Sequence, residues 1–341
     1  MRSFHFQINA ADGRAAIRVG ASICLPLFVI YAFGELHYAV YAVCGALTSV
    51  YGHSETHQRR VETQLVVGIC LVVTIGVAAV YSAAHGPVLL LGVLLFGVVA
   101  AGGTLGAVMG WIPRGEVFFI LVLLVISGIP IAPEQLPYVM AVGIGGAAFS
   151  IGLTLAGGGG SGLSLRTRVR AGSAALDPVQ HVIVILAAAI GSVCAWLIPQ
   201  WLGVGHPFWA PITVAAMMPA LTSADAFRRA SRLMTGTLVG VCFAALLFLP
   251  HPGVFTLMCL IAACQVIAEL FVARNYALAL VFISPLAIGM SNLGRGLPWA
   301  PLLIERVLET AVGIGVALVT IIIGRQVLAI AMARAFPGRS G

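Results

Sequence analysis

The chain has 341 residues, of which 60% are hydrophobic and only 9% are charged. A soluble globular domain carries roughly 25% charged residues, so these few charges exclude a water-covered surface and predict that lipid surrounds most of the chain. The formal net charge is +7, but the basic residues stand singly or in small groups between apolar runs. This distribution is typical of membrane topology signals and indicates no nucleic-acid partner.

All eighteen basic residues are arginine, because the chain contains no lysine. This absence excludes a Walker A ATPase, whose phosphate loop requires Lys, and Schiff-base chemistry on a Lys amine. The seven cysteines have neither zinc-site nor C-x-x-C spacing. Because no metalloprotease or serine-hydrolase motif is found either, we predict that the protein is not an enzyme and binds no cofactor or metal ion.

Apolar runs separated by charges, glycine and proline predict an all-α polytopic membrane protein. A spanning helix needs about 20 apolar residues, and the two-residue alternation of a β-barrel is absent. The first run is predicted to be a retained helix, since no small-x-small cleavage site follows it. The predicted helices are 15–33, 37–51, 64–84, 87–109, 116–130, 136–156, 181–202, 206–221, 232–249, 253–272, 276–291 and 302–325. We therefore expect about twelve transmembrane helices and no large soluble domain.

The arginines support this topology. With the N-terminus placed in the cytoplasm, twelve crossings put every arginine except Arg295 and Arg306 on the cytoplasmic side. Because basic residues collect in cytoplasmic loops, we predict a bacterial inner-membrane protein with both termini in the cytoplasm. The Gly/Ser-rich segment 157–180, with its alternating arginines, is predicted to be a cytoplasmic linker.

The two halves of the chain align on each other at one offset of 169 residues. The paired residues are His37 with His206, Ser54 with Ser223, and Arg59-Arg60 with Arg228-Arg229. Six helices in each copy mean that both copies enter the membrane in the same direction, which makes a parallel repeat. We predict one six-helix repeat at 1–156, the linker at 157–180 and a second repeat at 181–341.

The segment that begins at His206 has the densest pattern of polar and helix-breaking residues. His206 and Trp209 open a short helix that two prolines interrupt, and proline is tolerated in membrane helices where the freed carbonyls find partners or line a cavity. Two interpretations remain. Either Trp209 and His206 anchor the helix at the membrane interface, or this is a broken helix beside a substrate path, with His206 as a proton carrier.

The next helix carries Arg228 and Arg232, one turn apart. They either anchor the cytoplasmic side or bind an organic carboxylate, whose geometry the guanidinium fork matches. Gly236 and Gly240 form a small-xxx-small face, which is predicted to pack closely on another helix.

Three charged residues, Glu305, Arg306 and Glu309, lie at the start of the last predicted helix. Arg306 can pair with Glu309 or with another helix. Charges within membrane helices are costly, so they are usually paired with each other or functional. The alternatives here are a structural ion pair and a proton-coupled site, and Gly313 is predicted to be a packing glycine.

These motifs resemble the fusaric acid resistance protein-like family, which belongs with the aromatic acid exporters. The family pattern is a His/Tyr-x-x-Trp-Ala helix, then R-x-x-x-R-x-x-G-T-x-x-G, and later E-R-x-x-[DE]-T-x-x-G. The matching residues are Trp209-Ala210, then Arg228, Arg232, Gly236, Thr237 and Gly240, then Glu305, Arg306, Glu309, Thr310 and Gly313. The first half lacks most of these residues and matches only through the internal repeat.

The resemblance implies a secondary transporter that exports small organic, often aromatic, carboxylic acids and is driven by the proton gradient. The alternatives are a passive organic-anion channel and a non-transporting membrane scaffold. The expected partners are a small organic anion and the lipid bilayer, and a homo-oligomer or a periplasmic adaptor remains open. Together with the chemistry above, we expect substrate binding by His206, Trp209, Arg228, Arg232 and Arg306, proton coupling by His206, Glu305 and Glu309, and structural roles for Gly236, Thr237, Gly240 and Gly313.

Overall fold

A computed structural model describes residues 10–53, 55–113, 115–157, 178–205, 208–222, 225–272 and 274–335. Within these residues the chain forms twelve α-helices and no β-strand. The helices are α1 Ala10–Ala32, α2 Ala39–Ala46, α3 His57–Ala83, α4 Val88–Met109, α5 Gly115–Ser127, α6 Leu136–Ala156, α7 Pro178–Trp201, α8 Trp209–Met217, α9 Ala226–Phe248, α10 Val254–Val272, α11 Tyr276–Asn292 and α12 Trp299–Ala335. Each predicted segment coincides with one of them, so the all-α prediction is confirmed.

Eight of the described helices are long and apolar enough to cross a membrane. They are Gly13–Ala32, His57–Ala83, Val88–Met109, Pro133–Ala156, Pro178–Trp201, Ala226–Phe248, Val254–Val272 and Trp299–Arg334. The shorter apolar helical segments are Leu36–Val50, Glu116–Ser127, Trp209–Leu221 and Tyr276–Asn292. The chain is thus a multi-pass membrane protein, in which eight described helices rather than twelve reach the length of a span. The arrangement in two parallel repeats remains a prediction.

Large apolar side chains cover the outer faces of the helices. Leu89 on α4 is 81% exposed and Leu246 on α9 is 75% exposed. A soluble protein rarely exposes extended apolar patches, whereas lipid tails are as apolar as these side chains. The outer faces therefore fit a lipid environment. A buried apolar core, which includes Leu71 and Leu123 of the first half and Leu221 and Ile321 of the second, crosses the boundary between the halves.

The helices of the two halves have the same pattern of neighbours. In the first half α2 packs on α6, α3 on α5, and α4 on α5. In the second half α8 packs on α12, α9 on α11, and α10 on α11. The halves meet at two corresponding junctions, α4 with α7 and α10 with α1.

The short helices α2 and α8 pack closely on a long helix at a glycine. A Cβ atom built at Gly146 of α6 would collide with the carbonyl oxygen of Ala42. The corresponding contact in the second half places a Cβ at Gly313 of α12 only 2.6 Å from the carbonyl oxygen of Ala210. Each 3-10 turn then continues its short helix, at Leu47–Val50 and at Met218–Thr222.

Candidate functional site

The first turn of α8 is capped by a carboxylate from α12. The first four N–H groups of an α-helix have no partner within the helix, and Pro211 has no N–H group. The backbone N–H groups of Trp209 and Ala210 both donate to Oε2 of Glu309, at N–O distances of 2.7 and 3.2 Å. Glu309 is fully buried, so its carboxylate satisfies these donors where water cannot.

Gly313 explains why Glu309 reaches α8. It lies one helical turn after Glu309, and a Cβ at this position would be 2.6 Å from both the carbonyl oxygen of Ala210 and Cβ of Thr213. Because glycine has no Cβ, α8 and α12 approach closely there. This approach brings the helix N-terminus within hydrogen-bonding distance of the carboxylate.

Arg306 lies one turn before Glu309 and is also buried, with only 5% of its surface exposed. Its guanidinium carbon lies 4.0 Å from the centroid of the Trp209 ring, which is the geometry of a cation–π contact. Among the described residues, Nε of Arg306 and Oε1 of Glu309 are buried and have no hydrogen-bond partner. A buried charge is costly unless it is paired and hydrogen-bonded, so this arrangement retains unused binding capacity for a charged group.

Glu305 lies at the edge of this cluster and is half-buried. Its Oε1 accepts a hydrogen bond from the N–H group of Gly205, at 3.4 Å. His206, which we expected to bind substrate and carry protons, lies outside the described residues. The structure therefore brings together Trp209, Glu305, Arg306 and Glu309 of the predicted site.

Arg228 and Arg232 lie elsewhere. Helix α8 runs parallel to α12, because Trp209 contacts Glu309 whereas the carbonyl oxygen of Leu221 accepts a hydrogen bond from Nε of Arg325 at 3.1 Å. Sixteen residues of α-helix rise roughly 24 Å, so these two contacts lie roughly that far apart along α12.

Helix α9 begins five residues after Leu221, at the end remote from Arg306. Arg228 and Arg232 are both exposed there, and Arg228 pairs with Asp225 at 3.4 Å. Sequence reasoning placed these two arginines with Arg306 in one site, but the structure separates them from it.

Gly236, Thr237 and Gly240 lie where α9 approaches α11 most closely. A Cβ at Gly236 would lie 2.6 Å from the carbonyl oxygen of Ala277, and one at Gly240 would lie 2.7 Å from that of Leu280. Thr237 is fully buried in the same interface. These residues set the distance between two helices and do not contact Arg306.

Arginines at the other end of α8 were missed as functional residues. Nε of Arg229 donates to the carbonyl oxygen of Ala216 at 2.7 Å, and Nη2 of Arg325 donates to that of Ala220 at 2.8 Å. Cations are favourable at a helix C-terminus, as anions are at the N-terminus. Neighbouring helices thus hold α8 by charged groups at both ends. The only sequence signal was a proline-broken apolar segment followed by arginines. We interpreted these arginines as signals that place a loop in the cytoplasm.

Tyr276, at the start of α11, was also missed because no motif includes it. It lies within electrostatic range of both Arg229 and Arg306.

The match to a protein-family model falls on this half of the chain. The sequence model of the fusaric acid resistance protein-like family matches residues 193–320. A protein of Bacillus subtilis (strain 168), named as the uncharacterized membrane protein YvaC, is 35% identical over 113 residues, which are 33% of this chain and 18% of that protein. The match thus spans less than a fifth of that relative, and no solved structure matches the chain. Residues 193–320, which include Trp209, Arg306 and Glu309, are therefore similar to the fusaric acid resistance protein-like family, and the resemblance predicted from the motifs is confirmed there.

Proposed function

We propose that the protein is a secondary transporter of the bacterial inner membrane that exports small organic, often aromatic, carboxylic acids in exchange for protons. The observation that carries this proposal is the buried Arg306, which stacks on Trp209 beside the buried Glu309. A guanidinium group binds carboxylates, an indole ring offers an apolar face to an aromatic substrate, and a buried carboxylate in a membrane helix is typical of proton relays.

We also propose that all twelve helices cross the membrane, as two parallel repeats at 1–156 and 181–341, with both termini and the linker 157–180 in the cytoplasm. The matching neighbours of the two halves support the repeat. A nine-residue α-helix followed by a five-residue 3-10 turn, as in Trp209–Thr222, rises roughly 24 Å. This length approaches the hydrocarbon thickness of about 30 Å, so even the shortest pair of elements can cross most of it.

The repeat is unequal at the site. Counting back one and two helical turns from the packing glycines of α6 and α12, Glu309 corresponds to Val142 and Arg306 to Val139. The first half thus keeps the close helix contact but has no charged residue at either position. We propose that each chain has one substrate site, located in its second half.

Arg228 and Arg232 have a different role in this proposal. Exposed charges of one sign raise the local concentration of oppositely charged ligands. The two arginines attract organic anions at the cytoplasmic side, and Arg306 and Trp209 then bind them within the membrane. Partners beyond the substrate and lipid, whether a second copy or a periplasmic adaptor, are not needed for this step.

The test is transport of radiolabelled benzoate by the purified full chain in proteoliposomes. Wild-type protein is expected to move benzoate faster when a pH gradient is imposed, and Arg306→Ala to lower this rate at least tenfold. Arg334→Ala is the matched control, because Arg334 lies on the same helix and is exposed; it is expected to keep the wild-type rate.

Two results would contradict the proposal. Benzoate movement that carries electrical current and ignores the pH gradient would identify a passive anion channel. A rate equal to that of protein-free liposomes, over a panel of aromatic and aliphatic carboxylic acids, would leave the membrane scaffold as the function.

A further inference from the structure

We infer that the two backbone amides at the start of α8 are the binding site for the carboxylate of the substrate, and that Glu309 is an internal carboxylate that the substrate displaces. This inference rests on the proposed function, since it assumes that the protein handles organic anions. It assigns the ligand's charged group to the backbone of α8 in addition to the Arg306 side chain.

The first turn of α8 already binds a carboxylate. A helix N-terminus attracts anions through its free N–H groups and its dipole, and Trp209 and Ala210 donate to Oε2 of Glu309 at 2.7 and 3.2 Å. These donors are on the face of α8 that packs against α12, and Ala210 is fully buried. The distances are those of charge-assisted and ordinary hydrogen bonds, so the geometry suits a carboxylate oxygen.

Glu309 uses this position incompletely. Within the described residues, only one of its two oxygens accepts hydrogen bonds, and Oε1 is buried without a partner. A carboxylate can accept about four hydrogen bonds, so half of this group is unsatisfied inside the protein. Such an arrangement is costly when it is permanent and suits a group that leaves its position during a transport cycle.

Arg306 independently indicates a ligand at the same place. Only 5% of the surface of Arg306 is exposed, and its guanidinium group lies over the ring of Trp209, the residue whose N–H group is the nearer donor. Its Nε has no hydrogen-bond partner among the described residues. A ligand carboxylate on the amides of α8 offers Nε of Arg306 the acceptor that the described residues do not supply.

Glu309 and a ligand carboxylate cannot both occupy the amides, because two carboxylates at one site repel each other. The ligand therefore binds only when Glu309 moves away. It follows that removing the charge of Glu309 removes a competitor and strengthens anion binding, although the same substitution stops the coupled transport cycle.

The test measures benzoate affinity by calorimetry on the purified full chain in nanodiscs. Glu309→Gln keeps the size of the side chain and is expected to lower Kd for benzoate at least tenfold. Glu269→Gln is the matched control: it removes a half-buried carboxylate from α10, where Glu269 accepts a hydrogen bond from Gln265 at 3.1 Å, and it is expected to change Kd less than threefold. Benzamide, which has the same ring but no charge, is expected to show no preference for Glu309→Gln.

A second variant keeps the inference testable if Glu309→Gln is unstable. Glu309→Ala leaves the amides of Trp209 and Ala210 without an acceptor, so acetate is expected to bind there and raise the thermal unfolding temperature by roughly 2–4 °C. The wild-type protein is expected to show no such increase, and chloride at equal ionic strength is the salt control for both.

The outcomes separate this inference from the proposed function. Coupled benzoate transport by the wild type, with no gain in affinity in Glu309→Gln and no acetate rescue of Glu309→Ala, would overturn the inference and leave the function. Tighter benzoate binding in Glu309→Gln with no transport by the wild type would support the amide site and overturn the function. An equal gain in Glu269→Gln would overturn the inference, because it would indicate a general charge effect.

Discussion

At the scale of single residues, the contact between Arg306 and Trp209 combines the two properties that an aromatic acid requires. The guanidinium carbon lies 4.0 Å from the ring centroid, so the cation has an aromatic partner inside the protein. Cation–π contacts contribute about 0.5–2 kcal/mol, and more when they are shielded from water. A substrate that binds Arg306 therefore finds the cation already positioned.

We expect the indole ring of Trp209 to contribute to benzoate binding. Trp209→Leu removes the π face and is expected to raise the KM for benzoate about 3- to 30-fold, the equivalent of roughly 0.7–2 kcal/mol. Trp209→Phe retains a ring, and its KM for benzoate is expected to lie between those of Trp209→Leu and the wild type. Initial rates in proteoliposomes over a range of benzoate concentrations give these values.

Trp201→Leu is the matched control, because Trp201 ends α7 and is 89% exposed. It is expected to leave KM unchanged. Equal values of KM for Trp209→Leu and the wild type would show that the ring does not help to bind the substrate.

At the scale of elements, the position of α8 against α12 determines the site, and a single glycine permits this contact. Gly313 lies against the carbonyl oxygen of Ala210, so any side chain there separates the two helices. Separation would lengthen the hydrogen bonds from Trp209 and Ala210 to Glu309. Gly313 thus determines both the packing of α8 on α12 and the hydrogen bonds to Glu309.

Gly313→Ala is expected to destabilise the protein by about 1–3 kcal/mol, the usual cost of an extra methyl group in a tightly packed interface. Gly315→Ala is the control on the same helix, because a Cβ at Gly315 meets nothing within 4 Å. Thermal unfolding in detergent, followed by circular dichroism, compares the two variants. A lower unfolding temperature is expected for Gly313→Ala alone, and equal temperatures would contradict the helix contact described here.

The elements also show why part of the site was predictable. Long apolar runs locate helices well, because only a helix satisfies its own backbone groups in lipid, and all twelve predicted segments coincide with described helices. Glu305, Arg306 and Glu309 stood out because charges in such helices are costly. Their partners were not predictable, because Glu309 and Trp209 are 100 residues apart and meet only through the docking of α8.

The same reasoning explains the separation of Arg228 and Arg232 from Arg306. In sequence, all these arginines belong to motifs of one family, and nothing in the motifs gives the direction of α8 relative to α12. Their parallel packing places the start of α9 at the far end of α12. The direction of α8 relative to α12, which the residue pattern does not indicate, therefore separates Arg228 and Arg232 from Arg306.

At the scale of the whole molecule, the two halves have the same pattern of helix contacts but different chemistry. The junctions α4 with α7 and α10 with α1 join them in corresponding ways. The second half alone carries charged residues at the positions of Arg306 and Glu309, where the first half has valine. The helix contacts of the two halves therefore match, whereas the charged residues of the site are present in the second half alone.

Twelve crossings with a cytoplasmic N-terminus make a prediction about the loops at Arg228 and Arg295. Both residues are exposed and lie in or near loops, and the proposed topology puts Arg228 in the cytoplasm and Arg295 in the periplasm. Arg295→Cys is expected to react with a membrane-impermeant maleimide in intact spheroplasts. Arg228→Cys is expected to react only after the membrane is permeabilised, because the bilayer excludes the reagent.

The native cysteines require a matched background for this measurement. Cys194, Cys242 and Cys259 are exposed on α7, α9 and α10, within helices that lipid surrounds, so the wild-type chain is expected to label weakly before and after permeabilisation. If both introduced cysteines are labelled on the same side, the chain between them crosses the membrane an even number of times. In that case α9, α10 and α11 would not all span the membrane.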